Sequence, residues 1–450
     1  MSNTTHNRVG FANIASTPTS YNVEYLKIVS NSKEHTGDGD KKSYDITANL
    51  AYFSISESIS GNLIVDLSIG DSGNFVEYIN LQGNEKLELK VSRNEGGTDS
   101  TDAKGFMLDL RIQEILNYQR PKPGLATFNI TAVSEFVYLG DFMKLKIPFY
   151  GSPTELISKI STNVLKIENG EYSDSSKNII EGIYPNIKPM DAIYWLMSHA
   201  FDAGTPHFYY QTLAEDGKVH LKSYKQLTDL DEYEISYTYS PFVGQGISLE
   251  TKEGYLAEKS MIRRIQSDYN QSKLADGING AYVSTLHTLD IANKSYKKSV
   301  YQYNVDKMTK LNDYQPFSKS ENSKIDDKFL DEFLDSKSYY MSTNSQSFFN
   351  SSNYSSPIIS DLQKATSHLE NLNYQSHKIQ VAGDFDLSVG KKIRVDILKT
   401  GFKEVNSTEL DSLQSGVFII THIDHIFNQG FFQELTIQRD SSEVDLDATS

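Results

Sequence analysis

Gly70-Asp71-Ser72-Gly73 carries the residue types of the nucleophile turn of trypsin-like proteases. That chemistry needs a histidine and an aspartate upstream, spread over most of a double barrel. Only His6 and His35 precede the serine, both in polar stretches, so a turn between strands is the expected role. His422, Asp424 and His425 form a second grouping. On a strand the odd spacing sends the two histidines to opposite faces, so they cannot share a metal ion. His422 and Asp424 do share a face, but two ligands make a thin site, and a structural or surface role is expected. Asp38-Gly39-Asp40 hints at a calcium loop, yet Ser43 stands where the EF-hand needs glycine and Asn49 where it needs glutamate. Gly244-Gln245-Gly246 and Gly277-Ile278-Asn279-Gly280 lack the Lys-Ser/Thr of a P-loop and the strand-to-helix setting of a dinucleotide turn; turn glycines suffice. Among the many Asp and Glu residues no glycosidase pair stands out, since sequence cannot place two carboxylates roughly 5 to 10 Å apart. No catalytic, cofactor-binding or metal-binding residue is therefore assigned, and no cofactor is expected.

The elements that would position any such group are mostly strands. The chain has 450 residues, too many for one core, so about two to four domains are expected. It holds 28 Tyr and 22 Phe, which suit strands, together with abundant Ser, Asn and Asp, which suit turns. There is no cysteine, which excludes disulfides and thiolate metal sites. Residues 1–20 are polar and read as an arm rather than a signal peptide. No apolar run approaches the roughly 20 residues that span a bilayer, so no stable membrane insertion is expected, and assembly in a cytoplasm is. A net charge of −16 disfavours a general nucleic-acid binder and aids solubility.

Alternation begins at Tyr21, Val23 and Tyr25 and continues through 44–56, 63–69, 87–91, 106–113, 126–133 and 142–147. This makes a first all-β domain over 21–150. Ser152-Pro153-Thr154-Glu155 is a helix start, with an N-cap serine, proline at N1 and glutamate at N3. Leu156, Ile157, Ile160 and Val164 follow at helical spacing. A second helix is expected over 188–201, and strands over 207–211 and 218–223, giving an α/β domain over 151–245. Strands return at 260–269 and at 281–303, with a hairpin turn at Asn293. Residues 328–334 and 358–372 read as helices, with 342–356 a loop between them. The amphipathic stretches 325–334 and 358–372 are expected to pack on their own domain. Residues 308–374 thus read as an insertion dividing a second barrel, 246–307 and 375–440, with 441–450 a tail.

The C-terminal block alternates most clearly. Ile379 and Val381 face one way; Phe385, Leu387 and Val389 repeat at a period of two, as do Ile393, Val395 and Ile397. Phe431, Leu435 and Ile437 share a face with Gln433, while Phe432, Glu434 and Thr436 take the other. Gly383, Gly390, Gly416 and Gly430 fall between the runs, where positive φ is expected. The fold class that emerges is mainly β (α+β): two antiparallel β-barrels of tube type, an intervening α/β domain and an insertion in the second barrel.

The order Gly383-x-Phe-x-Leu-x-Val-Gly390, then Ser415-Gly416, an apolar strand ending in His425-x-Phe427, and Gly430-Phe-Phe resembles the baseplate hub proteins of contractile-tailed, T-even-like phages. It is more distantly similar to late-control tail proteins and to the hub part of the type VI secretion spike. The stretches 55–69, Asp191 to Leu196, Pro206 to Tyr210, 221–223 and Gly277 to Tyr303 fit the same pattern; 308–374 and the N-terminal arm do not. The resemblance implies a non-enzymatic virion protein. It implies a homotrimer whose paired barrels form a pseudo-sixfold ring, a symmetry adaptor between the tail tube or its initiator proteins and the central spike protein. It implies neighbouring baseplate proteins as contacts, and DNA passing through the channel at ejection without specific binding. An acidic lumen is expected from the net charge. The main rival is a glycan-binding or glycan-cleaving β-rich tail protein, against which the single Trp195, on an apolar helix face, argues. A spike-hub fusion is a second rival, and no lysozyme-like or repetitive segment follows residue 440.

Overall fold

The computed structural model describes residues 18–31, 43–72, 79, 81–94, 103–122, 124–176, 178–240, 252–268, 272–290, 294–304, 307–342, 355–399 and 409–448. Seven strands form the N-terminal half: β1 (Asn22–Val29), β2 (Ser43–Asp45), β3 (Leu50–Ser58), β4 (Ile64–Asp71), β5 (Lys86–Asn94), β6 (Ala103–Lys122) and β7 (Leu125–Ser134). They pair antiparallel in the order β2-β1-β5-β6-β7-β4-β3. The period-two pattern gives each strand one apolar face, and these faces meet in a core that includes Leu26, Phe53, Val65, Leu89, Phe128 and Ile130.

The central part pairs β8 (Pro148–Gly151) with β10 (Ile180–Ile183), and aligns β9 (Gly170–Tyr172), β11 (Phe201–Asp202), β12 (Thr205–Thr212) and β13 (Lys218–Ser223) in the order β11-β12-β13-β9. The helix Pro153–Lys159 starts as its sequence requires, the Ser152 hydroxyl accepting the Glu155 backbone N–H at 3.1 Å. The helix Pro189–Met197 buries Ala192, Ile193 and Leu196 against Leu156, Ile157, Val219 and Leu221.

The C-terminal strands are β14 (Tyr237–Tyr239), β15 (Arg264–Asp268), β19 (Gln375–Ala382), β20 (Lys392–Ile397), β21 (Gly416–Phe427) and β22 (Phe431–Arg439). They enclose a second core of Ile379, Val381, Ile393, Val395, Ile423, Leu435 and Ile437. The intervening strands β16 (Val283–Asp290), β17 (Ser295–Gln302) and β18 (Ser338–Ser342) make a separate three-stranded sheet. The fold is mainly β with large antiparallel sheets, the class expected. The two halves are not separate sheets, however. The β3 edge pairs with β21, from His422 opposite Ser58 to Phe427 opposite Phe53, so one 13-stranded sheet runs through both cores.

Several local expectations change. Residues 135–142 form a helix and Leu145 makes one isolated bridge, so there is no strand over 142–147. Glu135 in the first turn suits a helix start, and the apolar residues that follow serve either period. The stretch 383–390 is a pair of turns, although Phe385, Leu387 and Val389 are buried as its pattern implies. Gly390 (φ +82°) and Gly416 (φ +142°) take positive φ, whereas Gly383 is needed for space: a Cβ there would lie 2.1 Å from the Phe431 ring. Ser260 ends a helix, Lys252–Ser260, and Phe201 lies in β11 beyond the helix that ends at Met197. Residues 328–334 hold only a single 3-10 turn, Leu330–Glu332. Gly277 is helical and Gly280 is the left-handed cap of the helix Lys273–Asn279. In the helix Ser355–Leu372, Leu369 is exposed. The hairpin β16–β17 pairs with β18 rather than with the C-terminal strands. The turn at Asn293, the loop 343–354, the glycines 244 and 246, Asp38-Gly39-Asp40 and residues 1–17 lie outside the described residues.

Candidate functional site

A buried polar network lies where β3 meets β21. Period two turns Phe53, Ile55 and Glu57 of β3 inward, and Ile423, His425 and Phe427 of β21 with them. Glu57 is fully buried. Its Oε1 accepts the Leu213 N–H at 2.6 Å and the His425 Nε2–H at 3.0 Å, and its Oε2 accepts the Val389 N–H at 3.2 Å. One carboxylate therefore ties the N-terminal strands to the central part and to both a turn and a strand of the C-terminal block. The His425 tautomer follows from its other neighbour. The Gln433 amide nitrogen, which only donates, lies 3.0 Å from His425 Nδ1, so Nδ1 accepts and Nε2 carries the proton. Gln433 also closes a reciprocal pair with the Asp384 backbone, at 2.9 and 2.8 Å.

Asp384 opens a second buried layer. Its carboxylate accepts the Tyr233 hydroxyl at 2.7 Å and the Lys259 ammonium at 2.9 Å, with Asp384 itself fully buried. Burial pushes this carboxyl up, but the Lys259 charge and the two hydrogen bonds outweigh it and hold the net value below the ordinary one. Burial, with Asp384 beside it, drives the Tyr233 phenol far up, so it stays a donor. The neighbouring Arg93 guanidinium donates to the carbonyls of Pro18 (2.6 Å) and Gly383 (2.8 Å) and lies 5.3 Å from the Phe385 ring centroid. Under this layer Phe53 stacks on Phe427 at 4.3 Å and Phe427 on Phe431 at 4.3 Å, with Phe385 against Phe431 at 4.7 Å. Three phenylalanines of the C-terminal block thus complete the core of the first sheet. The carboxylates of Glu57 and Asp384 are each satisfied by partners from separate segments, and the arrangement holds three parts of the chain in register.

His422 and Asp424 share the outer face of β21, as their spacing requires, with His422 Nε2 3.2 Å from Asp424 Oδ1. The Ser56 hydroxyl donates to the same oxygen at 2.5 Å. The aspartate thus stands between serine and histidine, the wrong order for a nucleophile triad, in which the histidine must receive the serine proton. The hydrogen bond to Asp424 raises the His422 pKa, and that bond lowers the pKa of Asp424. Asp71 lies at the end of β4 and Ser72 in a bend, in accord with a turn; Gly73 is outside the described residues.

Glu171, Glu215 and His220 form a cluster that could hold a metal ion, and sequence spacing gave no sign of it. Glu171 and His220 are direct partners across the parallel pair β9 and β13, so they share a face. The cation position is already taken. The Lys218 ammonium lies 3.2 Å from Glu171 and 2.7 Å from Glu215, and Lys222 is 3.5 Å from Glu171. Two lysines balance two carboxylates, and burial lowers the His220 pKa so that the ring is neutral. A divalent ion would add charge to a balanced group, and the donor set does not favour it. No helix among the described residues is long and apolar enough to cross a membrane.

The fold is mainly β, with two apolar cores carried by one continuous sheet. Neither a protein-family model nor a curated protein matches the sequence. Solved structures match in fold. The 43 kDa tail protein of prophage MuSo2 from Shewanella oneidensis superposes with a TM-score of 0.51 at 8% identity, over 93% of this chain and 98% of that one. The tail protein from Neisseria meningitidis MC58 superposes with a TM-score of 0.50 at 11% identity, over 94% and 97%. The structural neighbours are phage tail proteins, in agreement with the resemblance carried by the C-terminal block.

Proposed function

We propose that this chain is the structural, non-enzymatic baseplate hub of a contractile phage tail. The carrying observation is the β3–β21 ladder, locked by Glu57, which makes two cores into one wall segment. In this reading residues 1–20 are an arm, 21–150 and the C-terminal strands build two tube-like domains, 151–245 links them, and the hairpin 281–303 joins 308–374 as a satellite. Three copies give six tube-like units around an axis, matching a sixfold tube on one side and a threefold spike on the other. Exposed Phe142 (76%), Tyr150 (64%) and Ile183 (70%) on and beside the β8–β10 pair supply apolar surface of the kind a subunit interface needs. The partners are a central spike protein, tube or tube-initiator proteins and neighbouring baseplate proteins, assembled in the host cytoplasm into the virion. DNA passes an acidic lumen without specific binding. Light scattering and negative-stain imaging of the purified chain, alone and with its spike partner, test this. Trimers or partner-dependent rings are expected; a stable monomer that forms no ring with the spike would overturn it.

A glycan-binding role is the second reading. On the outer sheet His287 stacks on Tyr340 at 4.7 Å, and Tyr340 is 81% exposed, an aromatic surface of the kind sugars use. Loss of glycan-array binding on Tyr340→Ala would favour it; no array signal for the intact chain would end it.

A further inference from the structure

A cavity of about 460 Å³ lies between the helix Lys273–Asn279, the segment 316–330, Tyr374 and the loop 411–414. Phe317, Leu330 and Leu413 give it apolar walls, and Gln414 and Ser323 give it polar ones. Its one lysine is Lys273. The ammonium tip is buried, lies 4.2 Å from the centroid of the Tyr374 ring, and has no hydrogen-bond acceptor among the described residues. The charge of Asp276 favours the Lys273 ammonium without hydrogen-bonding it, and both nearby acids accept hydrogen bonds from other groups. Asp276, one turn along the helix, accepts the Tyr282 hydroxyl at 3.0 Å, and Asp411 accepts the Leu413 N–H at 3.1 Å. A second cation, Arg439, lies 6.0 Å from the same Tyr374 ring and donates from Nη1 and Nη2 to the carbonyls of Ser415 and Leu413.

A buried ammonium without an acceptor is costly, and the ring face offsets only part of that cost. The size is that of a small-ligand site. We propose that this cavity is a binding site for a carboxylate attached to an apolar body, with Lys273 pairing the carboxylate while Phe317, Leu330 and Leu413 cover the body. Burial lowers the Lys273 pKa to about 8, so the empty site holds its proton loosely and a bound anion would restore it. The source of the carboxylate is either a free small acid or the end of a peptide chain.

Titration calorimetry of the full chain with benzoate, its neutral isostere benzamide, and N-acetylphenylalanine tests the site. Benzoate is expected to bind at least about tenfold more tightly than benzamide, the equivalent of one unit of Lys273 pKa. The preference should vanish in Lys273→Met, and in the wild type it should fade as pH rises through 8. N-acetylphenylalanine binding more tightly than benzoate points to a peptide end, and the reverse order to a free acid. Equal binding of benzoate and benzamide, or no saturable heat with either acid, would overturn the proposal without any variant being needed, and it leaves the hub reading untouched.

Discussion

Replacing Glu57 by glutamine changes no volume and asks only what the negative charge does. Three donors converge on the carboxylate: Leu213 N–H, His425 Nε2–H and Val389 N–H. The amide oxygen of glutamine can keep the first two. Its NH₂ group then faces the Val389 N–H, donor against donor, where Oε2 had accepted at 3.2 Å. Leaving a buried N–H unsatisfied costs about 1–3 kcal/mol, and each bond that loses its charge assistance weakens by about 1 kcal/mol. Relief from burying a carboxylate offsets part of this, so Glu57→Gln should weaken the joint by about 2–4 kcal/mol. A chain with several cores does not unfold in one step, so a single melting temperature is a poor readout. Hydrogen exchange on peptides covering β3, β21 and 387–391 reads the joint directly. At 1.4 kcal/mol per tenfold, exchange there should quicken roughly 30- to 1000-fold, with β12 and the helix Pro189–Met197 little changed. Glu57→Ala, which orphans three donors and leaves a void, should exceed it. Protection in Glu57→Gln within about threefold of the wild type would refute the clamp.

Gly383→Ala should cost about 3 kcal/mol, seen as loss of soluble folded protein, because its Cβ would meet a Phe431 ring that Phe427 and Phe385 hold in place. Ser152→Ala should cost about 1–2 kcal/mol, measured as faster exchange in the helix Pro153–Lys159, since the N-cap bond from Glu155 and the exposed bond to Asp174 are both lost. For Asp384, whose folded pKa is depressed, the stabilisation is complete above the ordinary value of 3.8 and is lost as pH falls through the lower folded value, so protection at 383–391 should hold down to mild acid and then drop. Lys273 runs the other way. Its folded pKa, about 8 against 10.5, means the unfolded chain binds more protons between those values, so stability rises with pH across that window. Lys273→Met should flatten this rise and stabilise the chain at pH 7 by roughly 2 kcal/mol, measured by urea unfolding of the surrounding segment.

The alternation in β19, β20 and β22 was plain in the sequence and the buried faces follow it, whereas β21 is buried on both faces over 416–421 and alternates only from His422. The Ser152 cap was equally plain, because its signal is local. What escaped was long-range. Nothing near Phe53, Ile55 and Glu57 says that β3 will pair with a strand nearly 370 residues away. A signal for the joint was nonetheless present: Glu57, His425 and Gln433 each sit in phase with apolar neighbours, where a polar side chain must find a buried partner. Periodicity misled at 383–390, where burial repeats every second residue but the chain turns, and at 142–147, where a short apolar run gives a helix end and one isolated bridge instead of a strand. The cavity around Lys273 joins segments from 273 to 446 and could not be read from any one of them.

The β3–β21 seam also sets how the molecule bears load. Its six register pairs, His422–Ser58 to Phe427–Phe53, are antiparallel. A force along the strands shears that whole ladder at once, together with the Glu57 bonds beneath it. A force across the strands peels the pairs one after another, each resisting alone. The joint is therefore stiff along its strands and yielding across them, like plywood split along its grain.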